Sequence, residues 1–284
     1  MRGKLVPGDR DYPEILLHYK GAPKELYYEG NLELLHTTCV AVVGSRKCTT
    51  YGRTVAKSIG KKLGENGVTV VSGMARGIDT QSHRGALEVG GNTIAVLGCG
   101  IDICYPPESR ELHSEIAAKG LIISEYPPGF QPQPYTFPAR NRIISGISES
   151  VVIVEAGNRS GSLITAEAAA EQGKRLYAVP GNITSHYSFG TNKLIRESVT
   201  PLIFLDDILL DLNISPSLKS EFYDKMGKDE RLVFNVVKDC GEVTIDQICK
   251  ETDISPSKIG GIITVLEMKG AVFSSLGKIF VAKF

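Results

Sequence analysis

The chain has 284 residues, 42% of them hydrophobic and 23% charged, which excludes a disordered or fibrous protein and provides for one large domain with a small one beside it. Its 32 Lys and Arg balance 32 Asp and Glu, so an anionic partner has to be drawn by a local patch and not by the field of the whole molecule.

Residues 1–36 are mixed in character. Pro7, Pro13 and Pro23 break any long helix there, and the segment is expected to be an irregular lead-in packed on the main domain. From Cys39 onward, short β-rich runs alternate with stretches of helical period: CVAVVGS before Tyr51 to Glu65, VTVVSG before Thr80 to Val89, NTIAVLG before Glu108 to Ala118, then LIISE, SVVIVEA before Ser162 to Gln172, RLYAVPG before Thr191 to Glu197, and PLIFL. The strands are continuous apolar runs, which suits a parallel sheet covered on both faces, so a doubly wound α/β domain is expected over 37–210. The polar stretch 211–227, with Pro216, reads as a linker. In 228–284, Leu232, Val233, Val236 and Val237 mark a helix. Thr244 and Gln247 form a capping box for a second. Ser255 and Pro256 open a third with Ile259, Ile262, Ile263 and Leu266 inward, and a hairpin follows, which is the winged-helix order.

Six cysteines, at 39, 48, 99, 104, 240 and 249, form no CxxC pair, and no histidine completes a zinc set; they read as small buried side chains, with neither metal nor cofactor expected. The N-terminus has no apolar leader and no later run has the length of a membrane span, so a cytoplasmic protein without a membrane partner is expected.

Nearly every strand of the α/β domain ends in glycine, and in an open parallel sheet such ends line one crevice where ligands bind. Gly44-Ser45-Arg46 follows the first strand, Gly73 to Gly77 the second, Gly98-Cys99-Gly100 the third and Gly157 to Gly161 a later one. Arg46 can project over that crevice. Arg140 and Arg142 flank Asn141 ahead of a helix with Ile143, Ile144 and Ile147; the two forks suit successive phosphates, and one of them suits a buried structural ion pair equally. Phe137 fits either a base-stacking ring or a core anchor. Ser160-Gly161-Ser162, continuing to Thr165, brings amides and hydroxyls to a helix start, an anion site by dipole and geometry. The candidate phosphate-binding set is thus Ser45, Arg46, Gly73, Phe137, Arg140, Asn141, Arg142, Ser160, Gly161, Ser162 and Thr165. Neither GxxxxGK[ST] nor a complete GxGxxG occurs, which speaks against a P-loop NTPase or a dinucleotide dehydrogenase. Asp79 with His83 reads as a helix cap beside a satisfied histidine, and Glu155 and Glu167 are the isolated general-base candidates; no catalytic cluster is assigned.

The run GSRKCTTYG, SGMARGID, GGNTIAVLGCGIDICYP, SEYPPG, FPARNRIISGIS, EAGNRSGSLITAEAA, GKRLYAVPGN and TNKLI resembles, in order and spacing, the DNA-processing protein A family, also called DprA or Smf. The resemblance implies an extended Rossmann-like fold, binding of single-stranded DNA, its delivery to the RecA recombinase in natural transformation, a homodimer, and no enzymatic reaction. By motif it makes Arg46 a DNA contact and makes Phe137, Arg140, Asn141, Arg142, Ser160, Gly161 and Ser162 pocket walls. Two departures stand out. Members often carry a helical domain ahead of the Rossmann part, for which this chain has too few residues, so that domain's role is absent or the sequence is a fragment; and NKLIRESVTP replaces the frequent NxLIxxGA, which touches the local turn and a dimer surface nearby. The rival expectation is a phosphoribohydrolase of nucleoside monophosphates, whose PGGxGTxxE loop EAGNRSGSLITAE does not match.

Overall fold

The computed structural model describes residues 1–215, 226–269, 271–275 and 277–281. They fall into two compact units, Met1–Ile214 and Ser215–Phe284. Most of the expected linker, 216–225, lies outside the described residues.

The first unit is built on strands β3 (Cys39–Val43), β4 (Thr69–Ser72), β5 (Thr93–Leu97), β6 (Leu121–Ser124), β7 (Ser150–Ile153), β8 (Arg175–Ala178) and β9 (Thr200–Pro201), all running parallel. Their apolar runs are explained by cover on both faces. Cys39, Ala41 and Val43 face one core with α4 (Thr136–Gly146) and α5 (Gly161–Glu171), while Val40 and Val42 face another with α1 (Thr50–Glu65), α2 (Ile78–Glu88) and α7 (Asp206–Asp211). Helix α3 (Arg110–Lys119) covers Ala95 and Leu97 through Leu112 and Ile116. Helix α6 (Phe189–Arg196) follows β8.

The lead-in is more ordered than its sequence predicts. Strands β1 (Arg2–Leu5) and β2 (Leu26–Gly30) pair with each other and add antiparallel to β6, extending the sheet to the order β1-β2-β6-β5-β4-β3-β7-β8-β9. Between them Tyr12 is buried, and its hydroxyl donates to the Pro23 carbonyl at 2.6 Å. PLIFL, expected as a full strand, contributes only the end of the two-residue β9.

From β3 the chain winds outward through β4, β5 and β6, then returns to the other side of β3 as β7. The order therefore reverses between β3 and β7, where Ala41 pairs with Val151 and both strands open their C-terminal ends to a common crevice.

The second unit holds α8 (Lys228–Cys240), β10 (Glu242–Val243), α9 (Ile245–Thr252), α10 (Pro256–Met268), β11 (Val272–Ser275) and β12 (Lys278–Val281), its strands ordered β10-β12-β11. Thr244 and Gln247 form the reciprocal box at the start of α9, and Ile259, Ile262, Ile263 and Leu266 are buried in the core. Ser255 occupies the N-cap position of α10 without a side-chain capping bond, and β10 is a strand the sequence reading lacked.

Candidate nucleic-acid interface

A cleft of about 1010 Å³ opens at the reversal between β3 and β7. It is walled by the loop after β3 (Ser45, Arg46, Lys47), one face of α4 (Phe137, Arg140, Asn141, Ile144), the loop after β7 (Asn158, Arg159, Ser160) and the first two turns of α5 (Gly161, Ser162, Thr165). Tyr105, Gln133, His186 and Tyr187 line it as well.

Helix α4 begins earlier than the sequence suggests, so Phe137 to Arg142 are helical. That decides the fate of the two arginines. Positions 137, 140, 141 and 144 share a face, whereas residues two apart point about 200° from each other. Arg142 accordingly leaves the cleft: it donates to Gly21 O at 2.9 Å and Ala139 O at 2.9 Å and pairs with Glu125 at 2.7 Å. Its place in the expected phosphate set is corrected on that ground. Arg140 stays at the floor, only 4% exposed, with Nη1 donating to the carbonyls of Gly73, at 2.8 Å, and Val96, and Nε to Asn141 Oδ1. Burial pulls its guanidinium down to about 10, while the Asp79 carboxylate works to hold the charge. Arg140 is thus the one of the two that meets the cleft, with its guanidinium anchored on backbone carbonyls.

Gly73 is also corrected. Its amide donates to Asp79 Oδ2 at 3.1 Å, its carbonyl accepts from Arg140, and a Cβ there would stand 2.5 Å from the guanidinium. It holds Arg140 in place and does not line the cleft.

The remaining candidates converge. Arg46 is exposed, with Cζ 4.9 Å from the centre of the Phe137 ring, and Ser45 Oγ donates to Lys47 O, tying the loop. Ser160 caps α5 by accepting from Ser162 N, its hydroxyl 2.8 Å from that of Ser162, and Asn141 Nδ2 donates to Gly161 O at 3.3 Å. The α5 N-terminus therefore presents amides, hydroxyls and its dipole to the same space.

Two cations that the sequence reading passed over, Lys47 and Arg159, join Arg46 at the cleft. Among the described residues these three have no ion-pair partner, whereas Lys57 and Lys61 share Glu88 and Arg76 pairs with Glu108. Four cationic side chains and one carboxylate, Asp79, line the cleft. A chain of zero net charge carries here a local positive field. Lys47 and Arg159 adjoin residues already singled out, and their adjacency was the available signal.

The acid-base candidates lie elsewhere. Glu155 is buried and accepts from Thr49 N at 2.9 Å and Thr49 Oγ1 at 2.5 Å, fastening the start of α1, and Glu167 is exposed on α5. Asp79 is not the cap of α2, which is Gly77, and His83 is not satisfied: its Nδ1 meets Thr93 Oγ1 at 2.6 Å while Nε2 is buried without a partner. Cys39, Cys48 and Cys99 are buried, Cys104 and Cys249 half-buried, and Cys240 exposed; burial pushes the Cys39 thiol up to about 12. Among the described residues no helix is long and apolar enough to cross a membrane.

A family model described as DNA recombination-mediator protein A matches residues 4–213. The chain belongs to that family. Its relatives include DNA processing protein DprA of Streptococcus pneumoniae, 46% identical over 72% of each chain, and Protein Smf of Synechocystis, 40% identical over 75% of this chain but 55% of that one. The solved structure of the pneumococcal DprA superposes with a TM-score of 0.71 at 43% identity, covering 74% of each chain. That of DNA processing protein A from Helicobacter pylori, described for its single-stranded DNA binding mode, superposes with a TM-score of 0.67 at 32% identity, covering 75% of this chain and 96% of that one. The DprA fold is thus a Rossmann-like one in this chain, with the cleft at its strand reversal.

Proposed function

We propose that the cleft binds single-stranded DNA through its phosphates, with little sequence preference, and that the protein hands the strand to a RecA-type recombinase. The observation that carries this reading is the unpaired trio Arg46, Lys47 and Arg159 set around the α5 N-terminus. Phosphates spaced along a flexible strand match separated cations in an open cleft. The likeness to the Helicobacter protein, whose structure was described for single-strand binding, supports the same ligand. Hand-off to RecA, assembly as a homodimer and a cytoplasmic setting rest on the family relationship. No enzymatic reaction is assigned, because the carboxylate that lines the cleft, Asp79, is buried against Arg140, and Glu155 and Glu167 are not among the lining residues. The C-terminal unit, read as a winged helix, serves as an accessory contact.

A gel shift with single-stranded and duplex DNA of equal length tests the ligand, run beside an assay for base release from nucleoside monophosphates. The expected result is preference for the single strand, with log affinity falling against log salt at a slope of about −2 for three phosphates neutralised. Equal affinity for duplex, or turnover of the monophosphate, would overturn the reading.

A further inference from the structure

Phe137 is hemmed in. The Arg46 guanidinium lies over its ring, the Tyr105 ring stands 5.3 Å away centre to centre with planes 35° apart, and a Cβ on Gly98 would meet its edge at 3.1 Å. Phe137 lines the cleft as well, but a nucleobase stacking on its ring would compete with Arg46 for the face that the guanidinium covers. Tyr105, by contrast, lines the cleft with 39% of its surface open. It comes from the loop before α3, far in sequence from the phosphate-binding turns, and is brought to them by the sheet.

We propose that Tyr105 is the base-stacking platform of the cleft, and that Phe137 acts as its backing and as the rest for Arg46. The two rings then divide the labour. Tyr105 adds an affinity that depends on bases and tolerates any of them, because every base has a π-face. Phe137 acts through the orientation of Arg46 and so on the phosphate contacts. This rests on the reading of the cleft as a single-strand site.

The test uses the full chain and two oligonucleotides of equal length, one with bases and one abasic, so that phosphates are kept and stacking is removed. Tyr105→Ala is expected to weaken binding of the base-bearing strand about tenfold and to change the abasic strand less than twofold, while Tyr105→Phe binds both as wild type does. Phe137→Leu is expected to weaken both strands alike. An equal loss on both strands in Tyr105→Ala, or none on either, overturns the assignment. Should that variant fail to fold, Tyr105→Trp supplies the chain's sole tryptophan. Its fluorescence is expected to be quenched by the base-bearing strand and not by the abasic one, and absence of quenching at saturation overturns the assignment as well. Failure of the wild type to bind any strand would instead remove the single-strand reading on which the proposal stands.

Discussion

The Arg46 guanidinium lies 4.9 Å from the centre of the Phe137 ring, joining the loop after β3 to the first turn of α4 without any carboxylate. A ring holds a cation by its quadrupole while leaving its N–H donors unused, so the guanidinium is positioned in advance for an anion. A carboxylate partner would have competed with phosphate for the same donors.

Arg46→Ala is therefore expected to weaken single-strand binding by about 1–3 kcal/mol with little change in melting temperature, since an exposed loop side chain carries little of the core. Fluorescence anisotropy beside a thermal melt checks both halves, and unchanged affinity in a folded variant would take Arg46 out of the site.

The two arginines of α4 should separate in the opposite way. Arg140→Ala strands the Gly73 and Val96 carbonyls and leaves Asp79 buried without its counter-charge, an expected loss of about 3–5 kcal/mol in stability. Arg142→Ala removes a partly exposed pair with Glu125 and two carbonyl contacts, about 1–2 kcal/mol, and leaves DNA affinity as it was. Denaturant titration of both variants, with an affinity measurement on Arg142→Ala, decides it.

Much of this was legible in the chain. The unbroken apolar runs at β3 to β7 specify a sheet with two covered faces, and Ser160-Gly161-Ser162 marks the start of α5 by its capping chemistry. The roles of Arg140 and Arg142 were not legible, because a boundary misplaced by a few residues removes the helical phase that sends one inward and the other away. Strands β1 and β2 were hidden by their mixed composition: Leu26 is buried, but Tyr27 to Gly30 are half-exposed on a strand near the sheet edge, so no apolar run announces it. Tyr105 had no local signal at all, since only tertiary folding brings it to Phe137.

Acid should act through His83. The Thr93 hydroxyl gives its proton to Val70 O at 2.8 Å, so at 2.6 Å His83 Nδ1 donates, and the buried Nε2 remains an acceptor without a partner. Burial, with the Arg140 charge behind it, holds the imidazole down to about 3. The unfolded chain takes up this proton near pH 6.5 and the folded one does not, so His83 draws stability down as pH falls from 6.5 toward 3 and has no effect above. At pH 4.5 the loss is about 3 kcal/mol. Burial raises the Asp79 carboxyl, which opposes this slope, so the readout is the difference between wild type and His83→Gln. That difference is expected to widen in the variant's favour below pH 6, and parallel curves would exclude His83.

Two helical glycines should respond with opposite sign. Replacement by Ala gains about 1 kcal/mol of helix propensity anywhere in a helix interior. At Gly60 in α1, however, the new Cβ would stand 2.2 Å from the Ser82 carbonyl of α2, and forcing those helices apart costs more than the propensity returns, a net loss of about 1–3 kcal/mol. At Gly261 in α10 a Cβ meets nothing within 4 Å, and Gly261→Ala is expected to stabilise the second unit by about 0.5–1 kcal/mol. Thermal melts of the two variants test the close approach of α1 and α2 directly.

The C-terminal unit should contribute little to single-strand affinity. Between Lys225 and Phe284 nine Lys and Arg stand against eight Asp and Glu, and several of the lysines are already engaged: Lys258 with Asp229 at 2.6 Å, Lys269 with Glu230 at 2.6 Å, and Lys278 with Glu242. Helix α10, the third helix of the unit, has no arginine to fork onto a guanine. Modules that read duplex DNA concentrate free positive charge on one face, and phosphate contacts here would first have to break ion pairs. Ending the chain after Ile214, where the first compact unit closes, is expected to leave affinity for a single strand within about threefold of the full chain and the salt slope near its original value. Circular dichroism establishes that the shortened protein is folded, and a collapse of binding in that folded protein would place the principal DNA contact in the C-terminal unit.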